Sequence, residues 1–245
     1  MSTGWSVIDV GGKPADVYDP PGGRPRFGVL YLHPVGQESL TGNAAFTRAF
    51  EELRLGCLCP PGGPSWWSDR PCPGFDPHQT AERYLLDAAL PALAARWGVR
   101  PPGVGLLGVS MGGQGALRLA LKHPAVFPVA AGIASAIDYH EWYGRGLPLD
   151  DLYDSKEACR QDTAVLHVHP AHHPPHLFFC IDPDDAEWYR GNDRLHEKLA
   201  ALGVPHTCDL TSRAGGHSWD YFNAQADRAV RFVHAGLLQE SRRLL

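Results

Sequence analysis

Ser110 stands in the run Gly108-Val109-Ser110-Met111-Gly112, followed by Gly113. A serine hydroxyl is a weak nucleophile until a general base takes its proton and an acid orients that base. The apolar run Val104 to Val109 before it reads as a buried strand, and Gly112 to His123 after it as a helix closed by Pro124. A strand that reverses into a helix within a few residues holds the serine in a strained turn. Gly108 and Gly112 lack Cβ atoms, so the two arms can approach closely. The hydroxyl then projects from the top of the sheet, and the free N–H groups of the helix start converge beside it. The Met111 N–H is therefore expected to donate to an oxyanion. This context is what gives the short G-x-S-x-G pattern its meaning.

A strand–turn–helix serine of this type is followed along the chain first by Asp or Glu and then by His. Of the 13 histidines, His206 and His217 lie at and after the last expected strand. His206 falls in an alternating strand pattern. His217 falls in Arg213-Ala214-Gly215-Gly216-His217-Ser218-Trp219, a flexible loop before the final helix, and is the expected base. The acid should follow the apolar run His176 to Ile181, where Asp182, Asp184 and Asp185 compete; spacing alone leaves all three open. The second oxyanion donor should come from His33-Pro34-Val35-Gly36-Gln37, after the strand run Phe27 to His33. Pro34 has no N–H, so Val35 is expected to supply it, with Gly36 as a neighbouring alternative. Trp66-Trp67 and Gln37 are expected to line a substrate pocket. Trp142-Tyr143, Trp188-Tyr189 and Trp219 form further aromatic candidates in neighbouring loops.

The elements that must position these residues alternate between apolar runs and helical patterns, the signature of βα units around a mostly parallel sheet. Helices are expected over 43–55, 78–97 with a kink at Pro91, 191–202 and 219–238. Further strands are expected at 56–59, 129–134 and 206–210, and an antiparallel edge pair at 5–10 and 15–18. Residues 135–175 read as irregular, a cap or insertion over the site. Within them Asp154 to Glu157 looks like a capping box, and Arg160 and Asp162 are expected to pair. The fold class is α/β: a single α/β-hydrolase domain over 1–245, with helices on both faces of the sheet.

Gly108-Val109-Ser110-Met111-Gly112-Gly113, Ile181-Asp182-Pro183-Asp184-Asp185 and Gly216-His217-Ser218 together resemble the putative-esterase (esterase D-like) family of α/β-hydrolases. The resemblance runs from about Phe27 to the C-terminus. In such esterases the acid often lies three residues after a glycine that ends the strand. Asp182 occupies that glycine position, which puts Asp185 on the acid and leaves Asp182 as the second choice. The resemblance implies a serine esterase acting on carboxylic esters through an acyl-enzyme. Its alternatives are an S-formylglutathione-hydrolase-like thioesterase, an acyltransferase or a peptidase. From another class comes a non-catalytic ligand-binding protein on the same scaffold.

Composition narrows the rest. Lys and Arg number 22 against 27 Asp and Glu, a net charge of −5, with no basic run; nucleic acid is not an expected partner. No apolar run approaches the roughly 18–20 residues of a membrane span, and the start of the chain shows no leader pattern. The six cysteines are scattered through a chain too large to need stapling, so they read as buried thiols in a reducing, cytoplasmic setting. No cofactor is called for, and nothing sets an oligomeric state. His167, His169, His172, His173 and His176 have ligand-like density. Pro170, Pro174 and Pro175 deny them helical spacing, so no metal is expected there.

Overall fold

A computed structural model describes residues 4–243. Met1 to Thr3, where the leader reading begins, lie outside them. Strands β1 (Gly4–Val10), β2 (Lys13–Asp19), β3 (Gly28–Leu32), β4 (Gly56–Cys59), β5 (Val104–Val109), β6 (Val129–Ile133), β7 (His176–Cys180) and β8 (Thr207–Asp209) form one sheet. Its spatial order is β1-β2-β4-β3-β5-β6-β7-β8. β1 and β2 pair antiparallel at one edge, as expected, and β2 joins β4 antiparallel; all other neighbours are parallel.

The central strands are apolar throughout because both faces are covered. Leu30, Leu32 and Leu106 face one core, while Val29, Tyr31, Leu107 and Val109 face the other. The second face is closed by α1 (Ala44–Leu53) and α8 (Trp219–Arg243). The first is closed by α2 (Ala81–Tyr84), α3 (Leu90–Trp97), α4 (Met111–Lys122) and, through Leu195 and Leu199, α7 (Tyr189–Ala201). Asn43 begins α1 by accepting from the Ala45 and Phe46 amides, a conventional N-cap. Among the described residues no helix is long and apolar enough to cross a membrane.

The kink expected at Pro91 takes the form of a π turn over Leu85–Ala89, between α2 and α3. Proline cannot donate to the carbonyl four residues back and its ring crowds that carbonyl. One extra residue in the preceding turn relieves both conflicts.

Residues 135–175 hold two short 3-10 turns and two short helices, α5 (Leu149–Leu152) and α6 (Lys156–Gln161). Ser155, not Asp154, caps α6 by accepting from the Ala158 amide. Glu157 binds Arg160 and Gln161 on the exposed face. Arg160 therefore does not pair with Asp162. Asp162 turns inward instead, onto Arg118 of α4 and the Tyr153 hydroxyl. Arg118 is fully buried and also donates to Glu82 at 2.7 Å. A buried guanidinium is tolerable because two carboxylates neutralise it and fill its donor fork. This cluster fastens the irregular segment to the flank of α4.

Glu82 also contacts Lys122 and His123 at 2.8 Å. Burial alone would push its carboxyl up; His123, Arg118 and Lys122 outweigh burial and hold it down to about 2. A carboxyl depressed in the folded state contributes stability above its unfolded pKa of about 4.3, and loses it as pH falls through the folded value. Glu82→Gln should therefore destabilise the protein by about 3 kcal/mol at pH 7. The deficit should shrink between about pH 4.3 and pH 2, which urea unfolding at a series of pH values would measure.

Candidate active site

Ser110 sits between β5 and α4 with φ 54° and ψ −119°, a conformation rarely tolerated outside functional turns. Its amide donates to the Ile133 carbonyl at 2.9 Å, and its carbonyl accepts from Gln114 and Ala136 at 3.1 Å. The turn is held on both sides. A Cβ on Gly108 would lie 2.1 Å from the Gly112 oxygen, and one on Gly112 would lie 1.8 Å from the Leu32 oxygen. No side chain fits at either position.

His217 Nε2 lies 2.9 Å from Ser110 Oγ, and His217 Nδ1 lies 2.6 Å from Asp185 Oδ2. A carboxylate only accepts, so Nδ1 carries the imidazole proton and Nε2 faces the serine hydroxyl with its lone pair. The three aspartates that spacing left open have separate places. Asp185 is buried, meets His217 and accepts from the Trp188 amide through its other oxygen. Asp182, also buried, accepts from the Ala214 amide at 2.6 Å, the Gly216 amide at 2.9 Å and the Asp184 amide at 2.8 Å. Burial pushes its carboxyl up, and these amide bonds outweigh burial and bring it below the usual value. Asp182 thus anchors the loop that carries His217. Asp184 pairs with Arg213 at the surface.

Met111 is the first residue of α4, where an N–H has no acceptor within the helix. Val35 is 48% exposed and, with Pro34 and Gly36, borders the cavity that Ser110 opens into. The Gln37 amide closes this turn onto the Pro34 carbonyl at 2.9 Å. Beneath it lies His33, the first residue of this expected donor loop, whose ring has a role of its own. His33 Nδ1 donates to the Pro34 carbonyl at 2.8 Å, and Nε2 accepts from the Gly62 amide at 2.9 Å. Burial lowers its pKa, so the neutral ring clamps two loops beside the serine.

The cavity holds about 500 Å³ and is walled by Trp66, Trp142, Trp188, Trp219 and Phe222, with Glu38 and Glu187 among its polar groups. Trp66 stacks on Tyr139 at 5.1 Å and meets Trp142 edge-on at 5.9 Å. Two expected pocket residues lie elsewhere. Trp67 is 0% exposed; its ring packs on His33, and its Nε1 donates to the His33 carbonyl. Trp66 and Trp67 both have positive φ, 53° and 55°, which sends consecutive rings to different destinations. Gln37, at φ 63°, turns into a separate groove lined by Val7, Asp16 and Cys59, and Glu38 takes the place on the cavity. Phe222 and the two glutamates carried no sequence signal, because only the loop path brings them to the serine. The five loop histidines do not converge: His167 meets Asp162, His173 the Pro174 carbonyl and His176 Glu240.

A family model described as putative esterase matches residues 16–233. The chain belongs to the putative-esterase family. Hydrolysis of esters is the activity that this membership supports. A search of curated proteins found no match. Among solved structures, an S-formylglutathione hydrolase from Agrobacterium tumefaciens is 18% identical, with a TM-score of 0.78 and 97% of each chain covered. The fluorophosphonate-binding serine hydrolase F of Staphylococcus aureus is 17% identical, with a TM-score of 0.73, covering 94% of this chain and 99% of its own. A ferulic acid esterase is 16% identical, with a TM-score of 0.74, covering 95% and 99%. These likenesses show the α/β-hydrolase fold.

The different places of the aspartates predict different spectra. A proton NMR spectrum should show a strongly deshielded His217 Nδ1 proton. Asp185→Asn should abolish that resonance, and Asp184→Asn should leave it in place.

Proposed function

We propose that the protein is a serine esterase that hydrolyses neutral carboxylic esters with an apolar or aromatic group, through an acyl-enzyme. The observation that carries this reading is the unbroken hydrogen-bonded line from Asp185 through His217 to Ser110, ending in an aromatic-walled cavity. Ser110 Oγ attacks the ester carbonyl while His217 Nε2 takes its proton. Asp185 holds the imidazole tautomer and stabilises the imidazolium. The N–H groups of Met111, at a helix start, and of Val35, in the turn beside the serine, receive the developing oxyanion. His217 then gives its proton to the departing alcohol. Water, activated by the same nitrogen, releases the acid.

Two observations favour this over the related readings. The cavity lining carries Glu38 and Glu187 and neither Lys nor Arg among the described residues. Arg145 pairs with Glu187 at 3.6 Å, but the lining itself offers no cation to the two carboxylates of a glutathione thioester, and so suits a neutral ester better. The His217 side chain is 31% exposed, so water reaches the base, which favours hydrolysis over acyl transfer. The buried thiols of Cys57, Cys159 and Cys180, with pKa values raised by burial, fit a reducing compartment such as the cytoplasm.

Ser110→Ala should lower kcat for a p-nitrophenyl ester by about 10⁴-fold or more. A fluorophosphonate probe should label Ser110 in the unmodified protein. Turnover that survives the substitution would overturn the mechanism, and absence of labelling would favour a binding protein on a hydrolase scaffold.

Glu38→Lys combined with Glu187→Lys should raise kcat/KM for S-formylglutathione relative to a neutral aryl ester by about tenfold, the worth of roughly 1.4 kcal/mol of charge complementarity. Steady-state kinetics on both substrates would measure the ratio.

A further inference from the structure

At the β8 edge of the sheet, three strands along from β5, three side chains with metal-binding atoms converge. His196 comes from α7, His206 from the turn before β8, and Cys208 from β8 itself. His196 Nδ1 lies 2.8 Å from His206 Nε2 and 3.2 Å from Cys208 Sγ, and all three atoms lie within 4.8 Å of one another. Each residue is half-buried, so the cluster is sheltered but open to solvent.

We propose that His196, His206 and Cys208 form a zinc site, with the fourth position open to water. The tautomers already suit it. His206 Nδ1 lies 2.8 Å from the Val204 carbonyl and must donate to it, which leaves Nε2 with its lone pair directed at the cluster. A carbonyl partner on the far nitrogen is the usual way a protein orients a metal-binding histidine. The ring is further fixed by stacking on Phe179 of β7, at 5.8 Å and 10° between planes. His196 Nδ1 then donates to His206 Nε2, with Cys208 Sγ beside the same proton. A divalent cation takes the place of that proton and the thiol proton; the thiol proton leaves to solvent, and the imidazole proton passes through solvent to the other ring nitrogen. His196 then carries its ring proton on Nε2.

The dimensions agree. Tetrahedral zinc with bonds of about 2.0–2.1 Å to nitrogen and about 2.3 Å to sulfur sets its ligand atoms roughly 3.3–3.6 Å apart. The two contacts of His196 Nδ1 have to open by a few tenths of an ångström, and the third pair of ligand atoms already lies within 4.8 Å. One thiolate with two imidazoles suits zinc better than a hard cation. The three residues span α7 and β8, so the ion would pin the edge strand to the helix that covers it. The residue after Cys208, Asp209, accepts from the Thr211 and Ser212 amides and pairs with Arg228 of α8. The strand end that the ion would pin is thus the start of the segment leading to His217. The inference does not rest on the proposed esterase activity.

The test uses tag-free, chelator-treated protein titrated with Zn²⁺ against a chromophoric competitor, and with Co²⁺ as a spectroscopic stand-in. The expected result is one zinc per chain, a raised Tm and a thiolate-to-cobalt charge-transfer band in the near ultraviolet. Cys208→Ala should remove the band, and His206→Ala and Cys208→Ala should each weaken zinc binding by roughly 100-fold or more. His169→Gln with His172→Gln, in the histidine-rich loop, should bind as the parent does. Zinc binding that is absent, that survives Cys208→Ala, or that follows the loop variant instead would overturn the site.

Discussion

The carbonyl oxygen of Leu32, at the end of β3, approaches α4 so closely that Gly112 can carry no side chain. Much of the site depends on that contact. It brings the start of α4 against the top of the central strands, and Ser110 takes up the resulting turn at φ 54°. The next residues of the β3 chain, His33 to Gly36, are thereby set beside the serine. The nucleophile and the second proposed oxyanion donor are thus positioned by one packing constraint between neighbouring strands. His33 carries the constraint outward, since its neutral ring fastens the Pro34 turn to Gly62 at the end of the neighbouring β4 segment.

The other half of the site is held by carboxylates. Asp182 fixes a loop through its amides, Asp185 fixes a ring, and Asp209 fixes the turn by which that loop begins. Each is held where the sheet ends and backbone N–H groups would otherwise lack acceptors. Charge is absent from the middles of the parallel strands β3 to β7 and gathers beyond their ends. The helix layer holds one buried charge cluster, Arg118 with its two carboxylates, which joins the irregular 135–175 segment to the helix behind the nucleophile.

What the sequence disclosed follows the range of the interactions involved. The Ser110 turn was legible because strand, glycines and helix lie within twenty residues and each constrains the next. The βα alternation was legible because strands covered on both faces are apolar throughout. His217 followed from chain order. The division of labour between Asp182 and Asp185 was not readable from spacing, because both are strand-end aspartates and differ only in which atoms face them after folding. Trp67 and Gln37 were misplaced for a related reason: left-handed backbone at non-glycine positions reverses a side chain without any compositional mark. The zinc cluster has no sequence motif at all, since His196 meets His206 and Cys208 only because α7 packs beside β8.

The manner in which Asp182 grips the base-bearing loop has a consequence for how this scaffold can vary. The contacts are to the amides of Ala214 and Gly216, and every residue except proline offers an amide. What the histidine takes from position 214 is therefore a backbone amide, beside that residue's own packing on the core, while from position 182 it takes the carboxylate itself. A site secured in this way separates the inheritance of its chemistry from that of its surface, so loops around the cavity can be exchanged while the proton path stays where it is.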